Sequence, residues 1–141
     1  MDFAFRQAVA EGWIDSSGSE FTVCMEFFKS LAESGELRVC DNNLPTNKGS
    51  IKPAEAFCCL YEDEVCKAAV DQLHDTLFKK SIWTWKRGVI EAHLGKTYGK
   101  NEVGLNKLAD RIDNNPFEEV IDDYVGVQRL MDWLKQQPIP A

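Results

Sequence analysis

Apolar residues along this chain recur mostly at three- and four-residue spacing, and in two short places they run together. Phe3, Phe5, Ala8, Ala10 and Trp13 form an imperfect helical pattern that Gly12 weakens, and Asp15 to Ser19 (DSSGS) is a turn. Phe21, Cys24 and Met25, Phe28 and Leu31 predict a helix from about Glu20 to Ser34, with Gly35 as its C-cap. Leu37 to Cys40 (LRVC) reads as a short strand, and Asp41 to Lys52 is a polar loop containing proline and glycine. Pro53 suits the first turn of a helix, and Phe57, Leu60, Val65, Ala69, Leu73 and Leu77 continue as two helices broken near Tyr61 to Asp63. Ile82 to Trp85 (IWTW) consists of β-formers and reads as a second strand, stopped by Lys86 and Arg87 and turned at Gly88.

Beyond that turn the pattern is helical again. Val89, Ile90 and His93 or Leu94 recur at helical spacing, which puts Glu91 in the first turn of a helix just past a strand. Tyr98 to Asn101 is a loop, and Val103, Leu105, Leu108 and Ile112 mark a short amphipathic helix. Asn115, Pro116 and Glu118 have the character of an N-cap, a first-turn proline and a capping box. From there one long helix carries Phe117, Val120, Ile121, Tyr124, Val127, Leu130, Met131 and Leu134 on a broad face, until Pro138 and Pro140 stop it.

This order predicts a single domain over 1–141 of the α/β class, rich in helix. LRVC and IWTW would be parallel neighbours joined by a βαβ crossover, in a small, mostly parallel sheet of two to four strands covered by helices, with a long helix at the C-terminus. So small a sheet leaves an edge or face exposed, and a second copy of the chain is the expected cover, which predicts a homodimer.

Composition narrows the class. A chain of 141 residues with 44% apolar positions can bury a core. No run approaches about 18 consecutive apolar residues, so no membrane span is expected. The start, MDFAFRQAVAEGW, lacks the cations and apolar run of a signal peptide, and the expected location is cytoplasmic. Five cysteines, an odd number without a CxxC, read as buried thiols rather than disulfides or a zinc site. A nucleophilic cysteine would need a helix N-terminus or a histidine beside it, and His74 and His93 are the two histidines available. The net charge of −7 is uneven: residues 79–111 hold eight cations against three acids, a local +5 that leaves −12 elsewhere. An acidic chain is no general nucleic-acid binder, but Lys79, Lys80, Lys86, Arg87 and Lys96 could face a phosphate backbone or an acidic partner. Trp83 and Trp85, two residues apart, would share a strand face, as part of a buried sheet or as a stacking platform for bases.

The candidate chemistry lies at the two strand ends. Asp41 follows LRVC and Glu91 follows IWTW by one turn, so neighbouring strands would bring both acids to one sheet edge. Two carboxylates there could hold Mg²⁺ or Mn²⁺ for phosphoryl chemistry, with Asn42 and Asn43 adding neutral oxygens. His74, among polar neighbours, is expected to be exposed, and His93 is poorly spaced from Glu91 to share a metal. Glu62, Asp63 and Glu64 read as a solvated helix start favoured by the macrodipole.

LRVCDNN, the helix that follows and IWTWKRGVIEAHLG, about residues 37–95, resemble the C-terminal half of the TOPRIM domain in nucleases of the overcoming-lysogenisation-defect type. The resemblance implies that Asp41 matches the first acid of an Asp-x-Asp pair and Glu91 the later acid. Asn43 stands where the second Asp belongs, the family's opening glutamate has no counterpart before Leu37, and no Walker A loop is present. The favoured expectation is therefore a non-catalytic protein of this lineage that needs no cofactor and binds an unidentified protein partner. A divalent-metal nuclease or phosphoesterase using Asp41 and Glu91 is the first alternative, and nucleic-acid binding through 79–111 the second.

Overall fold

The computed structural model describes residues 2–41, 43–95 and 102–138, and its described regular structure is helical. The chain forms two compact units, residues 1–89 and 90–141. In the first, α1 (Asp2–Ala10), α2 (Ser19–Glu33), α3 (Pro53–Glu62) and α4 (Glu64–Phe78) surround one core. The second contains α5 (Glu91–Leu94), α6 (Glu102–Asn114), α7 (Phe117–Val120) and α8 (Tyr124–Gln136).

The core of the first unit is aromatic at its centre. Phe28 of α2 meets Phe57 of α3 edge to face with ring centroids 5.0 Å apart, and Phe5 of α1 meets Phe57 at 5.7 Å. All three rings are buried, so truncating Phe28 to alanine would cost roughly 3–5 kcal/mol. The break between α3 and α4 falls at Asp63, inside the predicted interval. Its carboxylate accepts from the backbone N–H groups of Val65 and Cys66 at 3.1 and 2.9 Å, and those bonds hold its pKa below the usual carboxylate value. The acidic triplet thus supplies the N-cap of α4.

The α/β expectation is overturned: among the described residues no strand and no sheet forms. LRVC turns back on its own loop instead of pairing with IWTW. An isolated antiparallel bridge joins Val39 to Pro45, with Cys40 N–H donating to Leu44 O at 3.0 Å and Thr46 N–H to Arg38 O at 2.7 Å. Arg6 of α1 fastens this loop by donating to Pro45 O at 3.2 Å. IWTW forms no ladder. It follows α4, where Ile82 N–H donates to Leu77 O at 3.0 Å, Thr84 is buried and Trp83 packs across the His74 ring at 5.0 Å. The physical reason is that β-propensity measures fit to a half-buried surface, and here a helix provides that surface in place of a neighbouring strand.

Gly88 makes the predicted turn. Its φ is +87°, and a Cβ there would collide with Ala54 O, so the residue must be glycine for both conformation and space. The helix expected after it shrinks to the four residues of α5.

The predicted long final helix is interrupted. Pro116 is the N-cap of the short α7, and the Asn115 side chain, expected to cap, donates back to Arg111 O at 2.9 Å. Ile121 is extended, and the chain restarts as α8 from Asp123, whose side chain accepts from Gly126 N–H. The loop expected at Tyr98 to Asn101 lies outside the described residues. Among the described residues no helix is long and apolar enough to cross a membrane.

Candidate functional site

The two acids expected at one sheet edge have no sheet to share. Asp41 is exposed in the turn of the 36–52 loop in the first unit, near Asn43, which has a left-handed φ of +59°. Glu91 opens α5 in the second unit. Among the described residues no group of three or more His, Cys, Asp or Glu could hold a metal ion. The metal-dependent nuclease reading is therefore overturned. The TOPRIM-derived reading falls with the fold it requires, since neither acid ends a strand.

The basic segment is divided by its own contacts. Lys79 and Lys80 are exposed in the turn after α4. Lys86 donates to Asp71 Oδ1 at 2.7 Å and lies over the Tyr61 ring, 5.5 Å from its centroid. Tyr61 Oη donates to the same Asp71 oxygen at 3.1 Å, so one carboxylate of α4 gathers both. Arg87 is half-buried, and Lys96 lies outside the described residues. Trp83 and Trp85 meet edge to face at 6.0 Å, and Trp83 also packs on His74 and Phe78, so it is part of an aromatic cluster and not an open stacking platform.

Both histidines are buried, contrary to the exposed position expected for His74. His74 Nδ1 is 2.7 Å from Thr84 Oγ1, which ties α4 to the IWTW segment. In the second unit His93 Nδ1 is 2.5 Å from Asp123 Oδ2. A His–carboxylate pair can orient a general base. Here the ring is only 3% exposed, which denies a substrate access and leaves a clamp between α5 and the start of α8.

None of the five cysteines is joined in a disulfide. Burial pushes the Cys24 thiol up to about 12, with nearby Cys66 adding to the rise. Cys66 is pushed up to about 11, by burial first and then by the Asp63 carboxylate beside it. Thiols held protonated in this way are packing groups and not nucleophiles. A hollow of about 380 Å³ beside α2, lined by Phe21, Met25, Glu26, Lys29 and Asn43 among others, is open to solvent and lacks the enclosure of a small-molecule site.

What remains prominent is apolar surface on the second unit. Its core consists of Leu108, Val120, Ile121 and Val127, with Leu94 and Phe117 packed against it. Outside that core, Leu105 and Ile112 of α6 and Tyr124, Met131 and Leu134 of α8 are exposed. On α8 the order Tyr124, Val127, Met131, Leu134 follows i, i+3, i+7, i+10, the spacing of a helix-pairing seam. Only Val127 of the four is buried in the unit's own core. The sequence pattern showed this stripe, but as part of one long core-facing helix.

Compared with protein-family models, with curated proteins and with solved structures, the chain finds no match in any of the three.

Proposed function

We propose that the protein works as an assembly: a helical protein that functions as a homodimer joined through its second unit. The observation that carries this reading is the mismatch, among the described residues of that unit, between four buried core side chains and a larger set of exposed apolar ones on α6 and α8. A unit of about fifty residues with so small a core is marginal by itself, and covering the exposed set would enlarge its core. Exposed apolar groups gathered on two helices differ from the scattered single residues that any surface carries. The five thiols, none in a disulfide, support a reducing, cytoplasmic compartment for this assembly.

Light scattering on the full chain tests the reading. A mass that rises with concentration from the 16.0 kDa of one chain toward twice that value is expected. A mass fixed at one chain throughout would rule the reading out.

A further inference from the structure

We infer that the dimer contact is α8 packed antiparallel against α8 of a second copy, with the two-fold axis beside Arg129. This inference rests on the homodimer reading above and specifies which helix forms the contact and in which direction it runs.

The spacing along α8 is its own mirror image. Tyr124, Val127, Met131 and Leu134 are separated by three, four and three residues. Turning the helix end for end about residue 129 lays Tyr124 on Leu134 of the other copy and Met131 on the edge of Val127. An isologous contact requires this property, because each surface must complement itself. Exposure falls where such a contact needs it: Tyr124 is 36%, Met131 44% and Leu134 54% exposed, while Val127 at 8% forms the floor between them.

Charge does not oppose the pairing. Arg129, the residue nearest the axis, projects from the opposite side of the helix, some 160° from both Met131 and Val127 at about 100° per residue. Lys135 is the charge at the margin of the seam, and its copies would lie twelve residues of helical rise apart, about 18 Å. Lys135 is also drawn aside toward Asp132, its Nζ 3.4 Å from the carboxylate.

Area sets the strength. Leu105 and Ile112 of α6 flank Leu108, which shares a core with Val127, and they add to the three exposed residues of α8. Five half-exposed side chains of this size offer on the order of 400–500 Å² per copy, or about 900 Å² for the pair, below the roughly 1,200 Å² of a stable specific interface and within the range of weak, transient contacts. The dimer is therefore reversible and concentration-dependent.

Sedimentation velocity on the full chain and its variants tests this, with far-UV circular dichroism as the control for folding. Met131→Asp is expected to remain helical and sediment as a single chain at concentrations where wild type is dimeric. The pair Tyr124→Glu and Leu134→Lys tests direction. Each alone weakens the dimer, whereas the double variant sets the introduced carboxylate of one copy against the introduced ammonium of the other and restores the dimer at low salt. The favourable placement of an acid at the helix start and a cation at its end protects the fold of the double variant.

A double variant that stays monomeric while folded, or a Met131→Asp protein that stays dimeric, would overturn the α8 pairing and leave the homodimer reading in place. A wild type that remains a single chain at about 200 µM, a concentration equivalent to only about 5 kcal/mol of association, would overturn both.

Discussion

His93 and Asp123, thirty residues apart in sequence, hold each other at two points. The imidazole Nδ1 is 2.5 Å from the carboxylate Oδ2, and the Asp123 backbone N–H donates to His93 O at 2.9 Å. The other carboxylate oxygen accepts from Gly126 N–H at 3.1 Å, so one side chain both grips α5 and caps α8. This clamp fixes where the α8 seam begins.

Gly126 is the sensitive point of the clamp. A Cβ there would collide with the Asp123 carboxylate, which His93 holds in place. Gly126→Ala should therefore displace the carboxylate from His93, despite alanine's better helix propensity. The cost expected for a buried polar group deprived of its partner is roughly 1–3 kcal/mol. Hydrogen exchange of the amides from Tyr124 to Val127 should speed up, and unchanged or slower exchange would contradict the role assigned to the clamp.

Thr84→Val is the matching test in the first unit. The substitution keeps the shape of Thr84 and removes the oxygen that lies 2.7 Å from His74 Nδ1. Because both residues are buried, chemical denaturation should reveal a loss of roughly 1–3 kcal/mol. Tryptophan emission should also change, since Trp83 packs on His74. A neutral substitution would mean that Thr84 merely fills space.

Lys86 makes the first unit sensitive to alkali. Burial of its ammonium works against the charge, but the hydrogen bond to Asp71 and the charges of Tyr61 and Asp71 outweigh it and hold the pKa above the ordinary 10.5. A folded pKa raised above the unfolded one contributes stability that is complete below about pH 10.5 and disappears as pH rises through the folded value. The stability difference between wild type and Lys86→Met should thus be constant to about pH 10, at up to about 1 kcal/mol, and shrink above it. A difference that persists at about pH 12 would show that Lys86 acts through its hydrocarbon stem alone.

The thiols should divide into two classes. Cys24 and Cys66 are buried and have raised pKa values, whereas Cys40, Cys58 and Cys59 are partly exposed. Alkylation of the native protein at about pH 8, read by peptide mass, should label the second group first and reach Cys24 and Cys66 only when the first unit opens. Early labelling of Cys24 would contradict the packing of α2 against α4.

Local signals in the sequence were legible where chemistry is local. The end of α2 at Gly35, the start of α3 at Pro53, the break at Asp63 and the turn at Gly88 all follow from single residues with strong backbone preferences. The strands were misread because IWTW and LRVC report only that extended, half-buried backbone suits them, and a helix or a loop can supply the burial as well as a sheet can. The buried histidines were hidden for a different reason. His74 has Gln72, Asp75 and Thr76 around it in sequence, and its partner Thr84 sits in a segment read as strand. For Asp123 a signal did exist: two aspartates before Tyr-Val-Gly-Val mark a helix restart, but the continuous apolar stripe from Phe117 to Leu134 concealed it.

Hydrogen exchange of α8 at two protein concentrations decides whether this face is covered. Between about 1 and 200 µM, a range spanning the affinities of weak dimers, amides from Met131 to Gln136 should become several-fold slower, while those of α4 stay unchanged. Exchange in α8 that is independent of concentration would mean that the face remains open, and the protein would then have to work as a single chain.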